Sequence, residues 1–258
     1  MTEYALITGA SKGIGKNIVE ELARRGFNVL LVARSGDLLK QVAAEISSRY
    51  TVKVDWLALD LSAPDAPQKV FDWCKQKEYS VKALVNNAGY GLSGPFEKYP
   101  LSEHLNMMQL NMNTLVGLTR LFLPDLRGQS RAYILNIASS AAYQAVPGLS
   151  VYAATKAFVL AFSRGLHQEL HGSSVSVTAV SPGATDTDFP NRAQLGEKGL
   201  KAAAKFNMSP RVVASLAVKA MLAGKTEVIT GMLNKVGAVL AWLLPKTLVE
   251  RTAMKIYE

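Results

Sequence analysis

The sequence predicts an α/β fold: a doubly wound parallel sheet with helices on both faces, built as one domain over residues 1–258. Three observations predict it. Seven short β-branched or aliphatic runs alternate with longer segments of helical periodicity, the pattern of βαβ units. A glycine-rich turn joins the first run to the first helical segment. Two long irregular segments, residues 90–100 and 184–208, each follow a strand, on the edge where open parallel sheets bind ligands.

The elements follow in order. Residues 4–8 form the first strand, and Ile14, Ile18, Leu22 and Ala23 mark one face of the first helix. Gly26 stands where that helix should stop. Residues 28–32 are the second strand, and Leu38, Val42 and Ile46 repeat every four residues in the next helix. Residues 54–59 give the third strand, with Ser62 and Pro64 announcing a helix start. Residues 83–86 are the fourth strand. After the loop 90–100, Ser102 before Glu103 opens a helix, and Leu115, Leu118, Leu121 and Phe122 continue the helical pattern. Residues 133–137 and 175–180 are strands five and six. Segment 184–208 reads as a lid. Ser209-Pro210 opens another helix, and residues 227–230 are the seventh strand. Residues 232–258 form a helical extension whose stretch 236–244 is apolar almost all round. Three fates are open to it, in order of preference: its own core, a subunit interface, or a membrane surface.

Composition narrows the function. Apolar residues make up 49% and charged residues 19%, enough apolar material for a core and too little charge for a disordered chain. The net charge of +9 attracts phosphate, but the basic residues are scattered without interleaved aromatics, so nucleic acid is not an expected partner. Cys74 is the single cysteine, which excludes an intrachain disulfide and suits a reducing, cytoplasmic setting. The N-terminal residues carry no secretory signal pattern, and no apolar run reaches membrane-span length.

The first strand runs into Thr8-Gly9-Ala10-Ser11-Lys12-Gly13-Ile14-Gly15. Glycines there let the backbone approach a pyrophosphate, and the helix start supplies free N–H groups. At the end of the second strand, where a dinucleotide's adenosine ribose would lie, the chain has no carboxylate but Arg34. A guanidinium there pairs with a 2′-phosphate, and Lys12 adds charge, so NADP(H) is expected over NAD(H). Asp60-Leu61 ends the third strand, where a carboxylate can meet the adenine amino group. Asn86-Asn87-Ala88-Gly89 ends the fourth with small residues suited to close packing.

Tyr152 and Lys156 stand one helical turn apart on one face. A free phenol titrates near pH ~10. An adjacent ammonium favours the phenolate, making a tyrosine able to exchange a proton with a substrate oxygen. Ser139 closes the fifth strand and could hydrogen-bond that oxygen, and Asn111 lies in the preceding helix. Together these residues resemble the short-chain dehydrogenase/reductase family in its single-domain branch of about 250 residues. The resemblance covers the chain to about Gly231 and implies a seven-stranded Rossmann sheet, commonly dimeric or tetrameric. It implies that Tyr152 is the acid–base residue and that Lys156 binds the nicotinamide ribose and lowers the phenol's pKa. Ser139 would orient the carbonyl, and Asn111 would support a water in a relay with Lys156. Pro182, Gly183, Thr185 and Thr187 would cup the carboxamide. Two departures stand out: Ala138 occupies a position where serine is common, making Ser140 a rival to Ser139, and Thr114 stands where glycine is frequent.

The expected activity is interconversion of a carbonyl and a secondary alcohol on a lipophilic small molecule: a 3-oxoacyl chain, a steroid or a xenobiotic ketone. The alternative is a non-catalytic NADP(H)-sensing or scaffold protein on the same fold. Tyr90, Leu92, Phe96, Tyr143, Phe189, Leu195 and Phe206 are the expected apolar wall. No metal site is expected: His167 and His171 share a helix face but lack a third ligand.

Overall fold

The computed structural model describes residues 3–257; the side chains of Lys198, Ala202, Ala203, Lys205, Phe206, Ile256 and Tyr257 lie outside the description. The strands are β1 (Glu3–Thr8), β2 (Asn28–Ala33), β3 (Val54–Ala58), β4 (Ser80–Asn86), β5 (Ala132–Ile137), β6 (Val175–Ser181) and β7 (Glu227–Ile229). The helices are α1 (Gly13–Arg24), α2 (Gly36–Arg49), α3 (Ala66–Gln76), α4 (Leu101–Met108), α5 (Thr114–Arg127), α6 (Ser150–Glu169), α7 (Phe189–Arg192), α8 (Glu197–Phe206), α9 (Pro210–Leu222), α10 (Met232–Leu243) and α11 (Lys246–Tyr257).

All seven strands pair in parallel in the order β3-β2-β1-β4-β5-β6-β7. This is the doubly wound Rossmann sheet that the sequence predicts. Its two faces are written into the strands with period two. Ala5 and Ile7 of β1 face one way with Val29 and Leu31, and meet Ile18 and Leu22 of α1, Leu39 and Val42 of α2, and Val218 of α9. Tyr4 and Leu6 face the other way with Leu30, Val32 and Leu84, and meet Val70 of α3 and Leu118 and Phe122 of α5. Burying each such leucine contributes roughly 1.5–3 kcal/mol, so the alternation fixes the register strongly. The strand order reverses between β1 and β4, and their carboxyl ends open a crevice.

Several boundaries differ from the sequence expectation. β3 ends at Ala58, so Asp60 and Leu61 lie in the connection beyond it. β4 begins at Ser80 because a register shift opposite Tyr4 and Ala5 lets its polar start pair with β1. α3 starts at Ala66 with Pro67 in its first turn; the residues around Pro64 form tight turns instead. α4 begins at Leu101, directly after Pro100 rather than at Ser102. Segment 184–208 holds the two helices α7 and α8, and its ends are tied together by Met208 N–H to Ala184 O (2.9 Å) and Asp186 N–H to Met208 O (3.0 Å). The extension forms α10 and α11, but α10 does not bury its large residues on the core as first preferred: it buries Ala241 and leaves Trp242 76% exposed. The residues that α10 turns to the cavity are mostly small or polar, Asn234, Gly237, Ala238 and Ala241, with Leu233 at the edge and 65% exposed.

Candidate active site

A cavity of about 850 Å³ lies along the carboxyl ends of the strands, bordered by the glycine turn, the end of β5, α6, the segment after β6 and α10. The turn after β1 is built for close approach. Gly9 has φ +65° and Gly13 φ +54°, a region costly for other residues. A Cβ at Gly9 would lie 2.7 Å from Asn87 Nδ2, and one at Gly15 would lie 2.1 Å from Gly9 O. Ser11 and Ile14 line the cavity from this turn. α1 starts at Gly13 with no side-chain cap and no acid in its first turn, so its first N–H groups are available to an anion. This cradle, narrow and amide-lined, fits the pyrophosphate of a dinucleotide.

Thr8 and Asn87 hold the cradle together. Thr8 Oγ1 accepts from the N–H groups of Asn87 (2.9 Å) and Ala88 (3.1 Å), while Asn87 Nδ2 donates to Thr8 O (2.9 Å) and Gly9 O (3.1 Å). Arg34 follows β2 at the cavity edge and is exposed. Asp60 accepts from the Ser62 N–H (3.0 Å) and hydroxyl (2.8 Å). The Ser62 N–H, its hydroxyl and the charges of Arg34 and Arg192 hold the Asp60 carboxyl below its usual range. Leu61 is buried beside it. Lys12 pairs with Asp188 of segment 184–208 at 3.4 Å, but both side chains are more than half exposed, so the pair contributes little.

The four expected reacting residues converge. Tyr152 and Lys156 are buried on the cavity side of α6, with Lys156 Nζ 5.9 Å from the Tyr152 ring centre. Lys156 donates to Ile137 O at the end of β5 (2.8 Å). Burial pushes its pKa down to about 8, so the ammonium form still dominates at neutral pH. Ser139 precedes a 3₁₀ turn, and its Oγ accepts from Ala141 N–H (3.1 Å), leaving its own O–H to donate. Ser140 also lines the cavity, and its N–H donates to Pro182 O (2.8 Å), joining the ends of β5 and β6. Asn111 sits in a π-helical turn, Gln109–Asn113, between α4 and α5. Its Oδ1 accepts from Tyr90 N–H (3.1 Å), and its Nδ2 donates to Tyr90 O (3.0 Å) and Thr155 Oγ1 (3.0 Å). A Cβ at Gly89 would lie 2.9 Å from Asn111 Oδ1 and 3.4 Å from Lys156 Nζ.

The segment after β6 closes the site. Thr185 Oγ1 donates to Gly183 O (3.0 Å), Thr187 reaches over the turn to within 3.0 Å of where a Gly13 Cβ would be, and Phe189 packs on Tyr152 with ring centres 5.2 Å apart. Tyr90, Tyr143 and Leu195 line the cavity as expected; Leu92 packs behind it in the cluster around Tyr152. Phe96 does not join them: it is 65% exposed and stacks on His104. The expected contribution of Phe206 lies outside the described residues. His167 Nδ1 bonds to Val177 O (2.7 Å), anchoring α6 to β6.

Three contributions escaped the sequence reading. Thr155 ties Asn111 to α6, also donating to Tyr152 O (2.7 Å). Arg192 lies over the Tyr90 ring at 4.6 Å and lines the cavity. Asn234, Gly237, Ala238 and Ala241 of α10 form part of its wall, and their spacing by three, one and three residues was a readable small-residue face.

A doubly wound sheet with a glycine cradle at its switch point defines a dinucleotide-binding protein. More specifically, the chain belongs to the short chain dehydrogenase family, whose model matches residues 3–198. A very-long-chain 3-oxoacyl-CoA reductase from Danio rerio is 38% identical over 184 residues, covering 70% of this chain and 57% of that protein. The chain thus matches less than two thirds of the length of such curated relatives. Among solved structures, one from a study of 7beta-hydroxysteroid dehydrogenase stereoselectivity has TM-score 0.87 and 25% identity, covering 97% of this chain and 96% of its own. A short-chain dehydrogenase from Sphingobium yanoikuyae in complex with NADPH has TM-score 0.81 and 29% identity, covering 95% and 96%.

Proposed function

We propose that the protein is an NADP(H)-dependent oxidoreductase that interconverts a carbonyl and a secondary alcohol on a lipophilic small molecule. The observation that carries this reading is the convergence of Tyr152, Lys156 and Ser139 on a cavity that continues to the glycine cradle, with Asn111 directly behind, bonded to Tyr90 and Thr155. The nicotinamide, when bound, supplies or accepts the hydride. Tyr152 gives a proton to the carbonyl oxygen, or takes one from the alcohol. Lys156, buried and cationic at neutral pH, favours the phenolate across the short gap to the ring and is the residue assigned to the nicotinamide ribose. Ser139 donates a hydrogen bond from its hydroxyl, without losing the proton, to the substrate oxygen, where charge develops. Asn111 holds Tyr90 and α6 in position beside the proton path, with a water relay assigned to it and Lys156.

Gly9, Ser11, Lys12, Gly13, Ile14 and Gly15 would hold the pyrophosphate, Asp60 and Leu61 the adenine, and Ala88 and Gly89 would pack beside the cofactor. Pro182, Gly183, Thr185 and Thr187 hold the carboxamide end. Arg34, with Lys12 nearby and no carboxylate at the end of β2, supports NADP(H) over NAD(H). Val146, Leu149, Phe189 and Leu195 make an apolar wall suited to a 3-oxoacyl, steroid or xenobiotic ketone. The family resemblance suggests a homodimer or homotetramer, and the lone cysteine, buried with its thiol pushed up to about 12, suits a cytoplasmic setting.

The test is NADPH consumption, followed by absorbance, with a panel of 3-oxoacyl thioesters, steroid ketones and aromatic ketones. Turnover of at least one lipophilic class is expected. Tight NADPH binding with no turnover across the panel would favour a sensing or scaffold role instead.

A further inference from the structure

We propose that the outer face of α10 docks the protein onto an anionic lipid surface. The helix has its polarity reversed. The face turned inward carries Asn234, Gly237, Ala238 and Ala241, which line the cavity with Leu233 at its edge, 65% exposed. The face turned outward carries Met232, Val236, Val239 and Leu243, a single stripe at spacings of four, three and four. These four are 71%, 48%, 55% and 62% exposed, and Trp242 flanks them. A helix packed against a core hides its large apolar residues; this one presents them, and the described chain leaves each of the four about half exposed or more.

The occupant follows from charge and length. Residues 232–258 contain four cations, Lys235, Lys246, Arg251 and Lys255, all exposed, against two carboxylate side chains, Glu250 and Glu258. An excess of exposed cations in the segment that carries the apolar stripe complements anionic headgroups above acyl chains, with an exposed tryptophan at interfacial depth. Two copies meeting face to face through this stripe would instead bring like charges together. At 12 residues each, α10 and α11 are too short to cross a bilayer, and no described helix is long and apolar enough to do so. The helix therefore lies in the interface plane. Its inner face walls the cavity, so docking puts the entrance beside the acyl region. That last consequence rests on the proposed lipophilic substrate; the docking itself does not.

Flotation of the full chain with vesicles tests it, using phosphatidylcholine alone and phosphatidylcholine mixed with phosphatidylserine. The protein is expected to float with the mixed vesicles, at least about tenfold more than with phosphatidylcholine, and to lose most of that binding at high salt. Trp242 emission should shift to the blue with the mixed vesicles, and the shift should vanish in Trp242→Phe. The double variant Val239→Glu/Leu243→Glu, at exposed positions, should lose flotation while keeping its circular dichroism and Tm. Leu105→Glu, at an exposed site on α4, should float like the wild type and exclude a general loss of stickiness. Equal binding to both vesicle types, or unchanged flotation of the double variant, would overturn the proposal. So would a wild-type dimer that the double variant dissociates while neither protein floats, which would make this face a subunit interface. No arm measures turnover, so failure here leaves the redox reading untouched.

Discussion

Lys156→Met tests whether the buried ammonium is held at a cost to stability. In the folded protein the amine is buried with a backbone carbonyl, Ile137 O, as its hydrogen-bond acceptor, and its pKa falls from 10.5 to about 8. A difference of that size corresponds to about 3 kcal/mol of destabilisation when the group is charged in both states. Methionine matches the unbranched shape and removes the charge, while losing a hydrogen bond worth about 1 kcal/mol. The net expectation at pH 7, without cofactor, is a gain of about 2 kcal/mol, or a Tm rise of roughly 4–8 °C. The sign with pH follows from linkage. Below pH 8 lysine is protonated folded and unfolded, so the full cost is present. Between pH 8 and 10.5 the unfolded chain binds more protons, and wild-type stability from this group rises with pH. The advantage of the methionine variant should therefore shrink across that interval in thermal unfolding followed by circular dichroism. A variant less stable than wild type at pH 7, or a difference constant from pH 7 to 10, would mean that the buried ammonium carries no such cost. The same variant should lose carbonyl reduction, so stability and activity move in opposite directions.

The remaining predictions address single contacts. Arg34→Ala should weaken NADPH binding roughly 10- to 100-fold, as expected for a lost charge-assisted fork, and change NADH binding by less than about threefold; calorimetric titration of both cofactors checks it. Gly89→Ala should lower Tm by the equivalent of about 1–3 kcal/mol and impair turnover, because the new methyl meets the Asn111 carboxamide, itself held by three hydrogen bonds. Ser139→Ala should reduce kcat by about 10²–10³-fold, and Ser140→Ala by less than about threefold; the reverse order would transfer the carbonyl contact to Ser140.

Most of the scaffold was legible because its signals are local and redundant. The inner strands of the sheet bury both faces, so runs such as Ala5-Leu6-Ile7 and Val29-Leu30-Leu31-Val32 announce themselves whatever their neighbours. The cradle was legible because Gly9 and Gly13 occupy backbone conformations that glycine adopts at least cost. Tyr152 and Lys156 were legible as a pair because a helix brings residues four apart onto one face. What escaped depends on contacts between distant segments. The π-helical turn at Asn111 leaves no mark in apolar periodicity; it is stabilised by bonds to Tyr90 and Thr155, 21 and 44 residues away. Phe96 looked like a pocket aromatic by its loop, but stacking on His104 turns it outward. The apolar run in α10 suggested burial, yet the small residues that actually meet the cavity are the ones a hydrophobicity reading passes over.

In the proposed reaction the Tyr152 phenol exchanges the proton while the fold merely holds the reactants. Steady-state NADPH oxidation by Tyr152→Phe, on the best ketone from the panel and alongside NADPH titration, tests it most directly. The expected result is a loss of about 10²–10⁴-fold in kcat with NADPH affinity changed by less than about twofold. Turnover equal to wild type with affinity intact would contradict the account.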